Sequence, residues 1–217
     1  MSHAPTATRR RDGEGPLARL RAATARAHHD LDTSLAVLDR PWDAGGHRRW
    51  LELTWGLLAP LERSLAAWAR TDPGVLDVAS RARADLALAD LRALGVPEGD
   101  LAALPECPGT PAVPDRAAAV GVCYVLDGST LGGRLIARAV VAAGVPAEAT
   151  TSLTGRPGAG RRWRDTVAAV EAVGGRGDGE DLPAVVAAAS ATFAAYRDWL
   201  APLAVPATAG PARGVGR

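Results

Sequence analysis

The chain has 217 residues, 47% of them hydrophobic, which is enough for one domain with a full core. Its 25 basic and 24 acidic residues nearly cancel, and a net charge of +1 offers no electrostatic footprint for a nucleic-acid partner. Every one of the 25 cations is arginine, so lysine Schiff-base chemistry is excluded.

Residues 1–14 are polar and basic, with Arg9-Arg10-Arg11 and no apolar run behind them. They read as a disordered arm rather than a signal peptide. A first helix is predicted over 16–38, opened by Pro16, a good first-turn residue. A second spans 44–69, and Pro60 should kink it. A third covers 74–94, ended by Gly95 and Pro97. Residues 97–114 hold five prolines and read as a surface loop with room for a short helical turn. A long helical segment follows over 115–143, then a loop at 144–160 and a helix at 161–173. The glycine-rich stretch 174–179 reads as a mobile turn before a last helix at 181–200, and 202–217 as a flexible tail. The expectation is an all-α single domain over 15–201 with antiparallel neighbours. No run approaches the ~18 apolar residues of a membrane span. Cys107 and Cys123 form no C-x-x-C and fit free thiols in a reducing cytoplasm.

Two segments carry chemistry. Leu20, Thr24, His28, Leu31, Leu35 and Leu38 recur every three or four residues and predict an inward stripe on the first helix. Asp32 lies one turn beyond His28 and can reach its ring. An imidazole steered by a carboxylate is how proteins orient a metal-ligating histidine. A satisfied core histidine beside a surface aspartate is the plainer alternative. In the second segment, Gly128, Gly132 and Gly133 sit inside a helical pattern, each costing about 1 kcal/mol against alanine. Gly121, Gly128 and Gly132 fall on one face and leave bare backbone for something flat to lie against. Close helix–helix packing, or a turn at Asp127-Gly128, would use the same residues. The pattern matches no phosphate-binding loop.

Together the segments resemble haem oxygenases, in particular the bacterial biliverdin-forming branch. Leu20-Arg21-x-Ala23-Thr24-x-x-x-His28-x-x-Leu31-Asp32 is similar to the family's proximal helix, and the run from Tyr124 to Gly133 to its kinked distal helix. Ala59-Pro60-Leu61-Glu62, residues 160–164 around Trp163, and Ala191-Thr192-Phe193 extend the likeness over about residues 17–200. The resemblance implies a helical bundle with a kinked, glycine-rich distal helix, and haem as both cofactor and substrate. His28 would ligate the iron, with Asp32 orienting it. Gly128, Ser129, Gly132 and Gly133 would form the catalytic distal wall, where Ser129 and Thr130 support a proton-delivering water network. Thr24 and Phe193 would line the haem site, and Arg21 and Arg164 would pair with the propionates. Products would be biliverdin, carbon monoxide and ferrous iron. Electrons would come from an external donor such as a ferredoxin or flavoprotein reductase, because the chain has no flavin or iron–sulfur motif.

The likeness has gaps. Ser129 stands where another branch carries an aspartate, and the loop at 153–158 lacks the family's aromatic. A haem-binding or haem-sensing protein on the same fold is the alternative reading. A di-iron oxidase needs carboxylates and histidines converging from several helices, and the chain has four histidines and no E-x-x-H pair.

Overall fold

The computed structural model describes residues 15–174 and 181–204. The predicted arm at 1–14, nearly all of the turn at 174–179 and the tail beyond residue 204 lie outside them. Every described element is a helix.

Helix α1, Pro16–Leu35, starts with proline in its first turn. Its opening is tied to a distant element, for the Leu17 amide donates to Glu171 Oε1 at 3.2 Å. It stops three residues short of the predicted Leu38 because Ala36 takes the left-handed conformation (φ 43°), which breaks the helical bonding pattern. Trp42 then donates its indole N–H to the Val37 carbonyl and pins the connecting segment.

Helix α2, Ala44–Thr71, is capped by Asp43, which accepts from the Gly46 amide at 2.6 Å. Pro60 does not end it. The carbonyl that Pro60 cannot bond, that of Gly56, accepts instead from the Cys107 amide at 2.8 Å. The missing helical bond thus anchors the proline-rich loop. A Cβ at Gly56 would press on the Pro105 carbonyl and the Trp199 ring, so the loop and the last helix both need that glycine.

The third helix is shorter than predicted. Helix α3 is Ala84–Ala93, and residues 74–83 form an irregular segment with one 3-10 turn at Ala79–Arg81. The reason lies in α2. Glu62 accepts from the amides of Arg83 and Ala84, so its carboxylate caps α3 from outside and fixes where the helix begins. Helix α4, Glu98–Ala102, is the short turn allowed for in the proline-rich loop.

Helix α5, Arg116–Ala142, is capped by Asp115 and runs unbroken through Gly121, Gly128, Gly132 and Gly133. The segment predicted as a loop then holds a 3-10 turn and a four-residue helix α6, Thr151–Thr154. Asp90 of α3, fully buried, accepts from both the amides and the hydroxyls of Thr151 and Ser152 and holds that turn in place. Helices α7, Ala159–Gly174, and α8, Leu182–Leu200, complete the bundle. A 3-10 turn at Ala201–Leu203 extends the ordered chain past the predicted tail boundary, with Leu203 buried.

Helix α5 packs mainly on α8 and α7, α1 on α8, and α2 on α3. Gly121 makes the α5–α8 crossing possible, since a Cβ there would overlap the Val185 carbonyl. That glycine therefore serves helix packing and not the ligand-facing stripe predicted for it. Between α5, α7 and the 74–83 segment, Arg81 Nε donates to Asp127 Oδ2 at 3.0 Å, and Thr166 donates to the same oxygen at 2.6 Å. The pair is buried, where an ion pair needs these extra hydrogen bonds to offset desolvation.

Candidate functional site

Helices α1, α2, α5, α6, α7 and α8 border an open, largely apolar cavity of about 820 Å³. Of the predicted site residues, His28, Asp32, Gly128, Ser129, Gly132, Gly133 and Phe193 line it.

The α1 wall is built on helical spacing. His28 Nδ1 lies 3.0 Å from Asp32 Oδ2, one turn on. With Nδ1–H donating to the carboxylate, Nε2 keeps its lone pair. Phe193 of α8 meets the imidazole edge-on, with centroids 5.7 Å apart and planes at 76°. Two side chains from different elements thus set the ring's orientation. His28 is not part of the packed stripe as predicted. Leu20, Thr24 and Leu35 are buried, Leu31 is half-buried, and the His28 side chain is 61% exposed, at the cavity rim. Leu38 lies beyond the helix end and is exposed.

The α5 wall is bare backbone at Gly128 and Gly132, between the side chains of Tyr124, Val125, Leu135 and Ile136. A Cβ built on Gly132 would meet nothing within 4 Å, and one on Gly128 would reach only Trp163 Cζ3 at 3.8 Å. Gly133 differs, although it also borders the cavity. A Cβ there would collide with the Leu153 carbonyl, so this glycine admits the α6 turn against α5. Trp163 and Tyr124 lie ring to ring across the α7–α5 contact, 5.7 Å between centroids, and supply flat apolar surface.

One polar patch interrupts the apolar wall. Arg83, buried at the start of α3, donates from Nη2 to Ser129 Oγ at 3.0 Å and to the Leu126 carbonyl at 3.3 Å. Ser129 and Thr130 also donate to that carbonyl, at 2.8 and 3.1 Å. Side-chain donors converging on one helix carbonyl compete with the backbone bond and favour bending there. Burial pushes the Tyr196 hydroxyl pKa up, and the neighbouring Arg83 and Ser129 pull part of it back. Burial also raises Glu62 above the usual carboxylate range, against the amides of Arg83 and Ala84 that it accepts from.

Three predicted residues do not reach the cavity. Thr24 is buried in the α1 interior and donates its hydroxyl to the Leu20 carbonyl at 2.9 Å. Arg21 follows inward-facing Leu20 by about 100° of helix and is exposed. Arg164 is exposed for the same reason, because the register of α7 turns Arg162 and Trp163 inward. The arginine at the cavity is Arg83, with Tyr196, Trp50 and Thr54 as further polar lining. Arg83 lies in an irregular segment, where no helical period marks which arginine turns inward.

Among the described residues, no three His, Cys, Asp or Glu side chains gather as a metal-binding cluster. A porphyrin-held iron asks less of the protein, since one imidazole suffices as ligand. No helix among the described residues is long and apolar enough to cross a membrane. No family model matches the chain, and no curated protein matches it.

Proposed function

We propose that the cavity binds haem and that the protein is a haem oxygenase, cleaving haem to biliverdin, carbon monoxide and ferrous iron with dioxygen and external electrons. One observation carries this reading: an imidazole in contact with Asp32 stands on one wall of a cavity whose α5 wall carries open backbone at Gly128 and Gly132. The occupant such a site fits is flat, apolar over most of its surface, and in need of one axial nitrogen ligand.

Bound haem supplies the iron that activates dioxygen and the carbon framework that is oxidised. The remaining work falls to the chain. His28 Nε2 would be the ligand atom, and the contact of Nδ1 with Asp32 would fix the tautomer and the orientation of the ring. Gly132 and Gly128 leave their stretch of the α5 wall free of side chains, so a haem held at His28 would lie against open helix backbone there. Ser129 Oγ and Arg83 Nη2 hold protons at that wall, with the Tyr196 hydroxyl beside them. Tyr124 and Trp163 shield the ring from water. The electron donor is an external low-potential carrier of the ferredoxin or flavoprotein class, and the proposed setting is the cytoplasm.

The test is spectroscopic. Purified protein mixed with haemin should give a one-to-one complex with a histidine-ligated spectrum. Reductant under air should then bleach it, with release of biliverdin and carbon monoxide. Haem that stays intact through many equivalents of a competent reductant would favour the non-catalytic haem sensor. No saturable haemin binding would end both readings.

A further inference from the structure

Among the described residues, the large apolar side chains that stand exposed are Leu38 (56%), Leu131 (48%), Leu135 (53%) and Val141 (41%). Three of them lie on the second half of α5. Leu131, Arg134, Leu135, Arg138 and Val141 follow one another at helical spacing and form one outward stripe. Beside it Arg134, Arg138, Val141 and Thr154 line a shallow groove of about 480 Å³. Leu38 and Leu135 also border the main cavity, so the stripe reaches the cavity mouth.

The stripe is basic as well as apolar. Arg134 and Arg138 are exposed and make no ion pair among the described residues, whereas Arg63, Arg92 and Arg156 pair with Glu106, Glu98 and Asp85. The one acid of α5, Asp127, is buried against Arg81. Residues 128–164 hold six arginines and one acid, Glu148, in a chain whose net charge is only +1. Arg19 and Arg21 are also exposed and without an ion pair, but no exposed large apolar side chain accompanies them. Apolar side chains left in water and rimmed by unpaired charge of one sign mark a surface that another molecule covers.

The charge selects the partner. Two copies meeting through this stripe would set arginine against arginine, which disfavours a symmetric dimer. An acidic surface is the complement. The reaction proposed above draws its electrons from outside, and only the thickness of α5, about 10–12 Å, separates the stripe from the cavity. A carrier seated there stands within tunnelling reach of the cavity's occupant.

We propose that the stripe from Leu131 to Val141 is the docking surface for an acidic one-electron carrier protein, with Arg134 and Arg138 meeting its carboxylates and Leu131 and Leu135 covered by its apolar contacts. The inference rests on the haem reading above and adds where the reductant sits. Each encounter passes one electron, which the reduced carrier loses and the ferric iron of bound haem gains.

The experiment uses a plant-type [2Fe–2S] ferredoxin, an acidic carrier, as the probe. Calorimetric titration into the haem-free and the haemin-loaded protein should show binding that weakens with salt. Arg134→Glu/Arg138→Glu should weaken it about tenfold or more, and Arg134→Gln/Arg138→Gln and Leu131→Ser by less. Arg19→Glu/Arg21→Glu makes the same charge change elsewhere and should leave it near wild type. Haem loss driven by reduced ferredoxin should fall in step with binding, while haem loss driven by ascorbate should match wild type in every variant. A wild type that does not bind the ferredoxin, or equal losses in the α5 and α1 variants, would overturn the docking surface. So would undiminished binding in Arg134→Glu/Arg138→Glu. If the stripe instead holds phosphatidylglycerol vesicles, or a second copy by sedimentation, in wild type and not in Arg134→Glu/Arg138→Glu, with ferredoxin binding unchanged, it belongs to a membrane or a dimer and the carrier assignment ends. Failure of the wild type to bind haemin would bring down the haem reading itself, which the titration of haem-free protein does not involve.

Discussion

His28 is held at two points, by Asp32 on its own helix and by the Phe193 ring from α8. The two supports separate ligation from orientation. His28→Ala should abolish the histidine-ligated spectrum, whereas Asp32→Ala should keep haem bound and shift the iron–histidine stretch in resonance Raman, because the imidazole loses its acceptor. An unchanged stretch would remove Asp32 from the site. This pair was legible in the sequence because helical geometry alone brings residues four apart together. Arg83 was not. Its place depends on Glu62, 21 residues earlier, accepting its amide and on the α5 carbonyl of Leu126 accepting its guanidinium. Neither contact has a local signature. Arg21 and Arg164 show the converse, since a charge on a helix carries no sign of where a cavity begins.

At the scale of the element, neighbouring glycines on α5 do opposite work. Gly132 has open space where a side chain would go, while Gly133 lies against the Leu153 carbonyl. Gly132→Ala should therefore raise stability by about 0.5–1 kcal/mol in urea unfolding, through helix propensity alone. Gly133→Ala should cost about 1–3 kcal/mol or more, because backbone must move. Equal effects would mean the two share an environment. If the proposed haem oxygenase reading holds, Gly132→Leu should still take up haem yet release little biliverdin, because its side chain would occupy the open space on the α5 wall. The helical class and the glycine-bearing helix were readable from the hydrophobic period. The start of α3 was not, because a carboxylate on another helix sets it. The helix was expected to run through Pro60 and does, while the Cys107 amide that takes up the freed Gly56 carbonyl comes from a distant loop with no local signature.

For the whole molecule, His47 makes stability depend on pH. It is fully buried, with Nε2 2.7 Å from the Ala149 carbonyl, and burial lowers its pKa below the ordinary 6.5. The unfolded chain takes up a proton near 6.5, and the folded chain only at lower pH. Between those values the unfolded state binds more protons, so stability falls as pH falls through that window. Urea midpoints should drop between about pH 7.5 and about pH 5.5, and His47→Leu should flatten that slope whatever it does to the absolute value. A slope that survives the substitution would assign it to other groups.

The shared support of α1 and α5 has a mechanical consequence. Both lean on α8, and the cavity lies between them. Ala36, the one non-glycine residue with positive φ among those described, ends α1 at the rim. A cleft whose two sides rest on a common backing can change width by rocking one side, with neither side unfolding. The compliant side is α1, whose last two turns border empty volume, while the first half of α5 is packed all round. Amide hydrogens over residues 28–35 should exchange with solvent faster than those over 116–126 in the free protein, and the gap should close when haemin binds. Breathing of one helix would then set how quickly the ligand enters and how long it stays.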